Sequence, residues 1–249
     1  MLGRLATIVL LFASAYKKKS RGSVMIENFL KKWRELIRKI LVNNKNIRNL
    51  KCTDFSIISS DCTGGVLSHD LNLQFLSPTI NMFFSAQDFI KFLNNIRAYL
   101  QYEFVDITTE NDSWPVAKVG DIYLQLVHYK SVLDAQRAWD RRKERINWNK
   151  ICVIMNDRNG CTEKELIEFE KLNYKNKIFL TCNKEWCKKY KCAYYISKSE
   201  VNNDNGQQTV KTIPSYVPKL GWHRVIDEFD YIEFFNKIEM SESDSVKDE

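Results

Sequence analysis

Group transfer through a covalent step needs a hydroxyl or thiol nucleophile, a base within hydrogen-bond reach and donors for a developing oxyanion. The segment Phe55-Ser-Ile-Ile-Ser59-Ser60-Asp61-Cys62-Thr63-Gly64-Gly65 offers the first and the last of these. Ser59, Ser60 and Cys62 are the candidate nucleophiles, and the amides around Gly64 and Gly65 are candidate oxyanion donors in a tight turn that lets a ligand approach the main chain. The chain has three histidines. His69 and His128 are candidate bases, whereas His223 falls in a helical pattern. Asp61, His69, Tyr129 and Lys130 complete the expected substrate-binding set around the loop. Arg141, Arg142 and Arg145 could clamp a phosphate or carboxylate through paired N–H groups, with Arg141 or Arg145 the expected clamp for a phosphorylated donor. Each feature also has a structural reading: a strand exit with a core cysteine, a structural histidine, a solvated helix face. No His, Cys or carboxylate set has metal-ligand spacing; Cys182, Cys187 and Cys192 recur every five positions, outside the zinc patterns. A phosphate-binding loop of the GxxxxGK type is also missing from the sequence.

These residues need elements to hold them together. Residues 55–58 read as a buried strand, and residues 121–127 as another that runs into His128-Tyr129-Lys130. Residues 151–155 and 178–180 are further apolar runs, and 193–196 fits one more. Between them lie helices announced by caps: Ser85 with Asp88, Ser131 with Asp134, Thr162 with Glu165. Apolar runs alternating with capped helices predict an α/β fold, a mostly parallel sheet flanked by helices and Rossmann-like. In such a sheet the carboxyl ends of the strands share one crevice. Four runs end in polar residues: Ser59 to Cys62, His128 to Lys130, Asn156 to Arg158, and Thr181 to Asn183. Residues 43–49 and 103–118 read as polar and irregular, and 222–238 as a final helix.

Charge divides the chain. The total is +7, but residues 1–51 hold 13 Lys+Arg against 2 acids, so the remainder is +7 − 11 = −4. A mildly acidic main domain is a poor phosphate-backbone binder, which argues against nucleic acid as a partner. The expected organisation is an N-terminal apolar and basic segment (1–50), an α/β domain (51–239) and an acidic disordered tail (240–249). Within the first part, residues 25–42 predict a basic amphipathic helix that packs on the domain or lies on an anionic membrane surface. Residues 5–16 are apolar but span only 12 positions, short of the roughly 20 needed to cross a bilayer. A short membrane-dipping anchor and a start at Met25 both fit. Seven cysteines in no framework spacing suit a reducing, cytoplasmic setting, at the inner face of the membrane if the basic helix binds lipid.

Five motifs together resemble a known family. They are Phe55-x-Ile-Ile-Ser-x-x-Cys62-x-Gly-Gly65, Ser77-Pro78-Thr79, Asp88-Phe-Ile-Lys-Phe92, His128-Tyr-Lys130 and Trp139-x-Arg-Arg-x-x-Arg145-Ile-Asn147. Over residues 55–180, and weakly beyond, the chain is similar to the bacterial family called domain of unknown function nineteen-nineteen, whose members are often labelled exopolysaccharide biosynthesis proteins. The usual family loop Asn-Asn-Cys-Trp-Gly-Gly differs here at Ser60, Asp61 and Thr63. The cysteine after the first strand is also similar to a loop of capsule-biosynthesis proteins thought to be acetyltransferases. The resemblance implies a role in surface or exopolysaccharide biosynthesis, as a transferase placing an acyl or similar group on a glycan or lipid-linked sugar. A coenzyme A ester or nucleotide sugar would be the donor, with no tightly bound cofactor. Cys62 or Ser59 would act as nucleophile or positioner and His128 as base. The alternative is a non-catalytic glycan- or lipid-carrier-binding partner of an assembly complex.

Overall fold

A computed structural model of the chain describes residues 21–201, 206–217 and 221–238. The expectations for residues 1–20 and for the tail at 240–249 lie outside this set. Strands β1 (Ser56–Ser59), β6 (Ile151–Asn156), β7 (Asn176–Thr181) and β8 (Ala193–Tyr195) form a parallel four-stranded sheet in the order β1-β6-β7-β8. Both faces are covered, as parallel sheets require. Ile58, Val153, Met155 and Phe179 enter one core cluster, while Ile57, Cys152, Ile154 and Leu180 enter another. This alternation explains the unbroken apolar runs, because every second side chain serves a different core. Each fully buried aliphatic or aromatic side chain contributes roughly 1.5–3 kcal/mol.

The first core is closed by helices α4 (Ala86–Asn94), α5 (Ile96–Tyr99), α6 (Val132–Lys143), α7 (Glu163–Lys171) and α8 (Lys184–Lys189), of which α4, α6 and α7 start at the hydroxyl caps legible in sequence. Ser85 accepts from the Asp88 amide and Ser131 from the Asp134 amide, each at 3.1 Å. Thr162 and Glu165 make the reciprocal capping box. The second core is covered by α3 (Thr63–Asp70) and the C-terminal α9 (Tyr231–Asn236). The expected final helix is divided: a 3-10 turn at Val225–Glu228 precedes α9, which Asp230 caps by accepting from the Glu233 amide at 2.9 Å.

A second sheet departs from the expected order. Strands β2 (Phe83–Phe84), β5 (Ile122–Gln125), β4 (Val116–Val119) and β3 (Val105–Asp106) form an antiparallel sheet, so part of the segment read as irregular is strand. Gly120 makes the tight turn between β4 and β5 at φ +61°, where Tyr102 stands 3.0 Å from the position of an added Cβ. The strand leading to His128 therefore belongs to this sheet and not to the parallel one. A small antiparallel pair, β9 (Ser199–Val201) with β10 (Gln208–Val210), lies beyond β8.

At the N-terminus α1 (Arg21–Arg38) runs through a π-helical turn at Lys39–Asn43 into α2 (Asn44–Asn49). The asparagine-rich stretch read as a linker is helical because tertiary contacts hold it. Asn46 donates to the Tyr231 hydroxyl at 2.6 Å, and Asn236 bonds Asn49 and Lys51. Arg38 is 1% exposed and joins α1 to Asp70 of α3 and Asp227 of the 3-10 turn.

Candidate functional site

The exit of β1 is built by short-range chemistry. The Ser59 hydroxyl donates to the Asp61 carbonyl at 2.6 Å and accepts from the Gly64 amide at 3.0 Å. Ser59 is fully buried, so both its hydrogen-bonding roles serve the loop and none reaches solvent. The Asp61 carboxylate accepts from the Thr63 amide and from the Asn156 side chain, each at 2.9 Å, which ties the ends of β1 and β6.

Thr63, Gly64 and Gly65 form the first turn of α3 and not an open turn. Neither glycine has positive φ. A Cβ on Gly64 would come within 2.8 Å of the Ser59 Oγ and one on Gly65 within 3.2 Å of Ile80, so the glycines let α3 press against its own chain. The expected role of the pair in forming an oxyanion turn is corrected on this point. The close approach is made by β1 and Ile80, and the Gly64 N–H is already bonded to Ser59.

Cys62 sits at the N-cap of α3, half-buried, its Sγ 3.9 Å from the Met82 carbonyl. A helix N-terminus ordinarily lowers a thiol pKa. Here burial, aided by the Asp61 charge, pushes the Cys62 thiol up to about 12. At neutral pH the group is a protonated thiol and a weak nucleophile.

Across from it stands Tyr129, whose hydroxyl donates to the Ile80 carbonyl at 2.8 Å and accepts from Arg142 at 2.6 Å. Burial raises this hydroxyl and the neighbouring Cys62 adds to the effect, against the opposing pull of Arg142 and Arg141. Cys62, Arg141 and Arg142 thus each act on the Tyr129 hydroxyl, which is the group that links the thiol to the arginines. Arg142 also lies 5.3 Å over the ring of Phe75.

The expectation that Arg141 or Arg145 is the clamp is corrected: of the three arginines Arg142 turns inward, at 8% exposure, while Arg141 and Arg145 face solvent. Helical periodicity decides this: Ala135, Ala138, Trp139 and Arg142 recur on the buried face of α6, and the i, i+4 pair Arg141 and Arg145 lies elsewhere. Among the described residues no carboxylate lies within ion-pair distance of Arg142. A buried charge ordinarily has a partner.

The remaining expected residues do not join this cluster. His128 and Lys130 are exposed at the end of β5. Cys62 and His128 were expected to share the edge of one parallel sheet, an expectation that fails because β5 pairs with β2 and β4. His69 is 81% exposed at the far end of α3, 3.6 Å from Asp70. Beside the site, at the exit of β6, Asp157 accepts from Thr181 at 2.7 Å, Cys182 at 3.0 Å and Val210 at 2.7 Å, holding β10 to the sheet. Sequence reading missed Phe75 and Met82. Phe75 lies in an aperiodic stretch, and Met82 contributes a main-chain carbonyl that no side-chain pattern records.

The family model described as "Domain of unknown function (DUF1919)" matches residues 33–236. The chain belongs to this family. A Haemophilus influenzae protein described as "Uncharacterized protein" is 33% identical over 201 residues, covering 80% of this chain and 92% of that protein. The DUF1919 match takes in the last part of α1, so it crosses the expected boundary at residue 50 and includes Arg38 together with both of its partners.

Proposed function

We propose that this DUF1919 protein binds an anionic sugar or acyl donor at the exit of β1 and acts as a transferase in surface-polysaccharide biosynthesis. One observation carries the reading: Arg142 is nine-tenths buried beside Tyr129 and Phe75 with no carboxylate partner among the described residues. A phosphate or carboxylate on the donor supplies the missing charge, with Arg141 at the rim. The assignment to polysaccharide biosynthesis comes from the motif resemblance, and a coenzyme A ester or nucleotide sugar fits the required anion.

The raised Cys62 thiol favours direct transfer over a thioester intermediate. A glycan hydroxyl attacks the donor carbon, the bond to the phosphate or thiol leaving group breaks, and the hydroxyl proton passes to Asp61, the carboxylate that neighbours Cys62. The same raised thiol, with His128 on the other sheet, supports a second reading, a binding module for a glycan or lipid carrier that turns nothing over.

The test has two arms. Thermal shift with coenzyme A esters and nucleotide sugars should show stabilisation by one class, abolished in Arg142→Ala and kept in Arg145→Ala. Product formation with the stabilising donor and a purified glycan acceptor should follow. Stabilisation without product would establish the binding module, and a full shift in Arg142→Ala would remove the anion site.

A further inference from the structure

The alternation of apolar and basic residues in α1 makes a helix with two unlike sides. Its inward side is fixed in place, since Arg38 donates to Asp70 at 2.8 Å and to Asp227 at 2.7 Å. The outward side is therefore a fixed surface of the molecule. Lys31, Lys32, Glu35 and Leu36 are its exposed positions, and Lys39 and Ile40 at the start of the π-helical turn continue the exposed side. The π-helical turn that follows adds a residue to the register, which buries Asn43 and turns Leu41 outward. Large apolar side chains consequently stand in solvent along one short stretch: Leu36 at 48%, Ile40 at 53%, Leu41 at 42% and Ile47 at 39% exposure. Among the described residues Lys31, Lys32, Lys39 and Lys45 have no carboxylate partner.

We propose that this outward face of α1 and the turn after it is a docking surface for an anionic phospholipid leaflet, on which the helix lies in the plane of the interface. Lysines meet the headgroups and the Leu36, Ile40 and Leu41 side chains enter the acyl boundary, the arrangement that binds interfacial helices. Charge selects this occupant over its rivals. A second copy docked through the same face would set lysine against lysine. Residues 1–20 carry 4 Lys+Arg and no acid, so folding back would do the same. The helix lies on the bilayer without crossing it, because among the described residues no helix is long and apolar enough to span.

The test is co-sedimentation of the full chain with vesicles of phosphatidylcholine alone or mixed equally with phosphatidylglycerol. The protein should pellet with the anionic vesicles only, and high salt should release it. Lys31→Gln/Lys32→Gln/Lys39→Gln should weaken binding on the order of a hundredfold, from about tenfold or less per lysine. Leu36→Ser/Ile40→Ser should weaken it by about tenfold or more. Both variants should keep the parent melting temperature, since these side chains are exposed, and Arg142→Ala should bind vesicles as the parent does. Parent-like binding by both surface variants would move the contact to residues 1–20 and overturn the proposal. So would failure of the parent to bind, or a dimer that Leu36→Ser/Ile40→Ser dissolves with no vesicle binding.

Discussion

Two buried arginines in this molecule do opposite things. Arg38 is 1% exposed and grips two carboxylates, Asp70 and Asp227, while Arg224 adds a second cation to Asp70 at 3.0 Å. Arg142 is 8% exposed and touches a phenol and a phenyl ring. Burial alone would lower the Arg38 pKa, yet its bonds and charge contacts with Asp227 and Asp70 raise it, so the charge is fixed and internally satisfied. The first site is closed and holds the N-terminal helix to the domain. The second is electrostatically open. Burial by itself therefore says little about role; the inventory of counter-charges separates a structural arginine from a ligand-seeking one.

The largest effect expected from this contrast is on stability. Arg38→Ala leaves Asp70 and Asp227 facing each other's vicinity with less positive charge, and breaking a buried pair typically costs about 3–5 kcal/mol. Arg142→Ala strands no carboxylate among the described residues and should cost about 1 kcal/mol, the scale of its ring contact and one hydrogen bond. Urea midpoints for the two variants measure the difference, and equal losses would erase the distinction.

Ligand affinity should reverse the ranking. Hydrogen bonds to a charged group are worth about 1.5–3 kcal/mol, so Arg142→Ala should weaken donor binding roughly tenfold to a hundredfold, read by titration calorimetry. Tyr129→Phe removes the hydroxyl that positions Arg142 and should cost less, about threefold to tenfold. A larger loss in the Tyr129 variant would make the phenol the principal ligand.

Titration sharpens the comparison further. Burial by itself would raise Asp70, but the Arg224 and Arg38 charges outweigh it and hold the carboxyl below its ordinary value. Its stabilisation is thus complete above the unfolded pKa of about 3.9 and is lost as pH falls through the folded value. Asp157 has no cation beside it in the bonds it makes, and burial raises its pKa despite amide and hydroxyl donors from Val210, Thr181 and Cys182. Its contribution has the opposite sign: present below about 3.9 and lost as pH rises through the folded value. Denaturation followed from pH 2 to 6 should give Asp70→Asn a flatter acid limb than the parent. An unchanged acid limb would mean that the arginine network does not govern Asp70.

The smallest effect concerns reactivity at Cys62. Burial and the Asp61 charge push its thiol up to about 12, so alkylation by iodoacetamide at pH 8, followed by peptide mass spectrometry, should be slower at Cys62 than at an ordinary cysteine. Rapid modification would show a thiolate and restore the covalent route.

Much of the scaffold was legible in the chain. The three hydroxyl caps, the buried runs of β1, β6 and β7, and the polar residues at their carboxyl ends are local signals with a direct physical meaning. The membership of β5 was not, because the pattern Ile122, Leu124, Leu126 reads the same whether a strand pairs in parallel or antiparallel fashion. The partners β2 and β3 are only two residues long, below any sequence signal. For the same reason the sequence suggests for His128 a common edge with Cys62 that the sheets do not share.

By itself the sequence determined the chemistry available at the exit of β1: a thiol, an acid, two glycines and, farther on, a tyrosine with a run of arginines. Only tertiary structure decided which of them meet. Ser59 and Gly64 are used up on each other, Gly65 makes room for Ile80, and Arg142 rather than Arg141 or Arg145 reaches Tyr129. The physical reason is that hydrogen-bond saturation and burial are properties of the packed neighbourhood. A side chain's type fixes what it can donate or accept, and the surrounding fold fixes whether anything is left to offer a ligand.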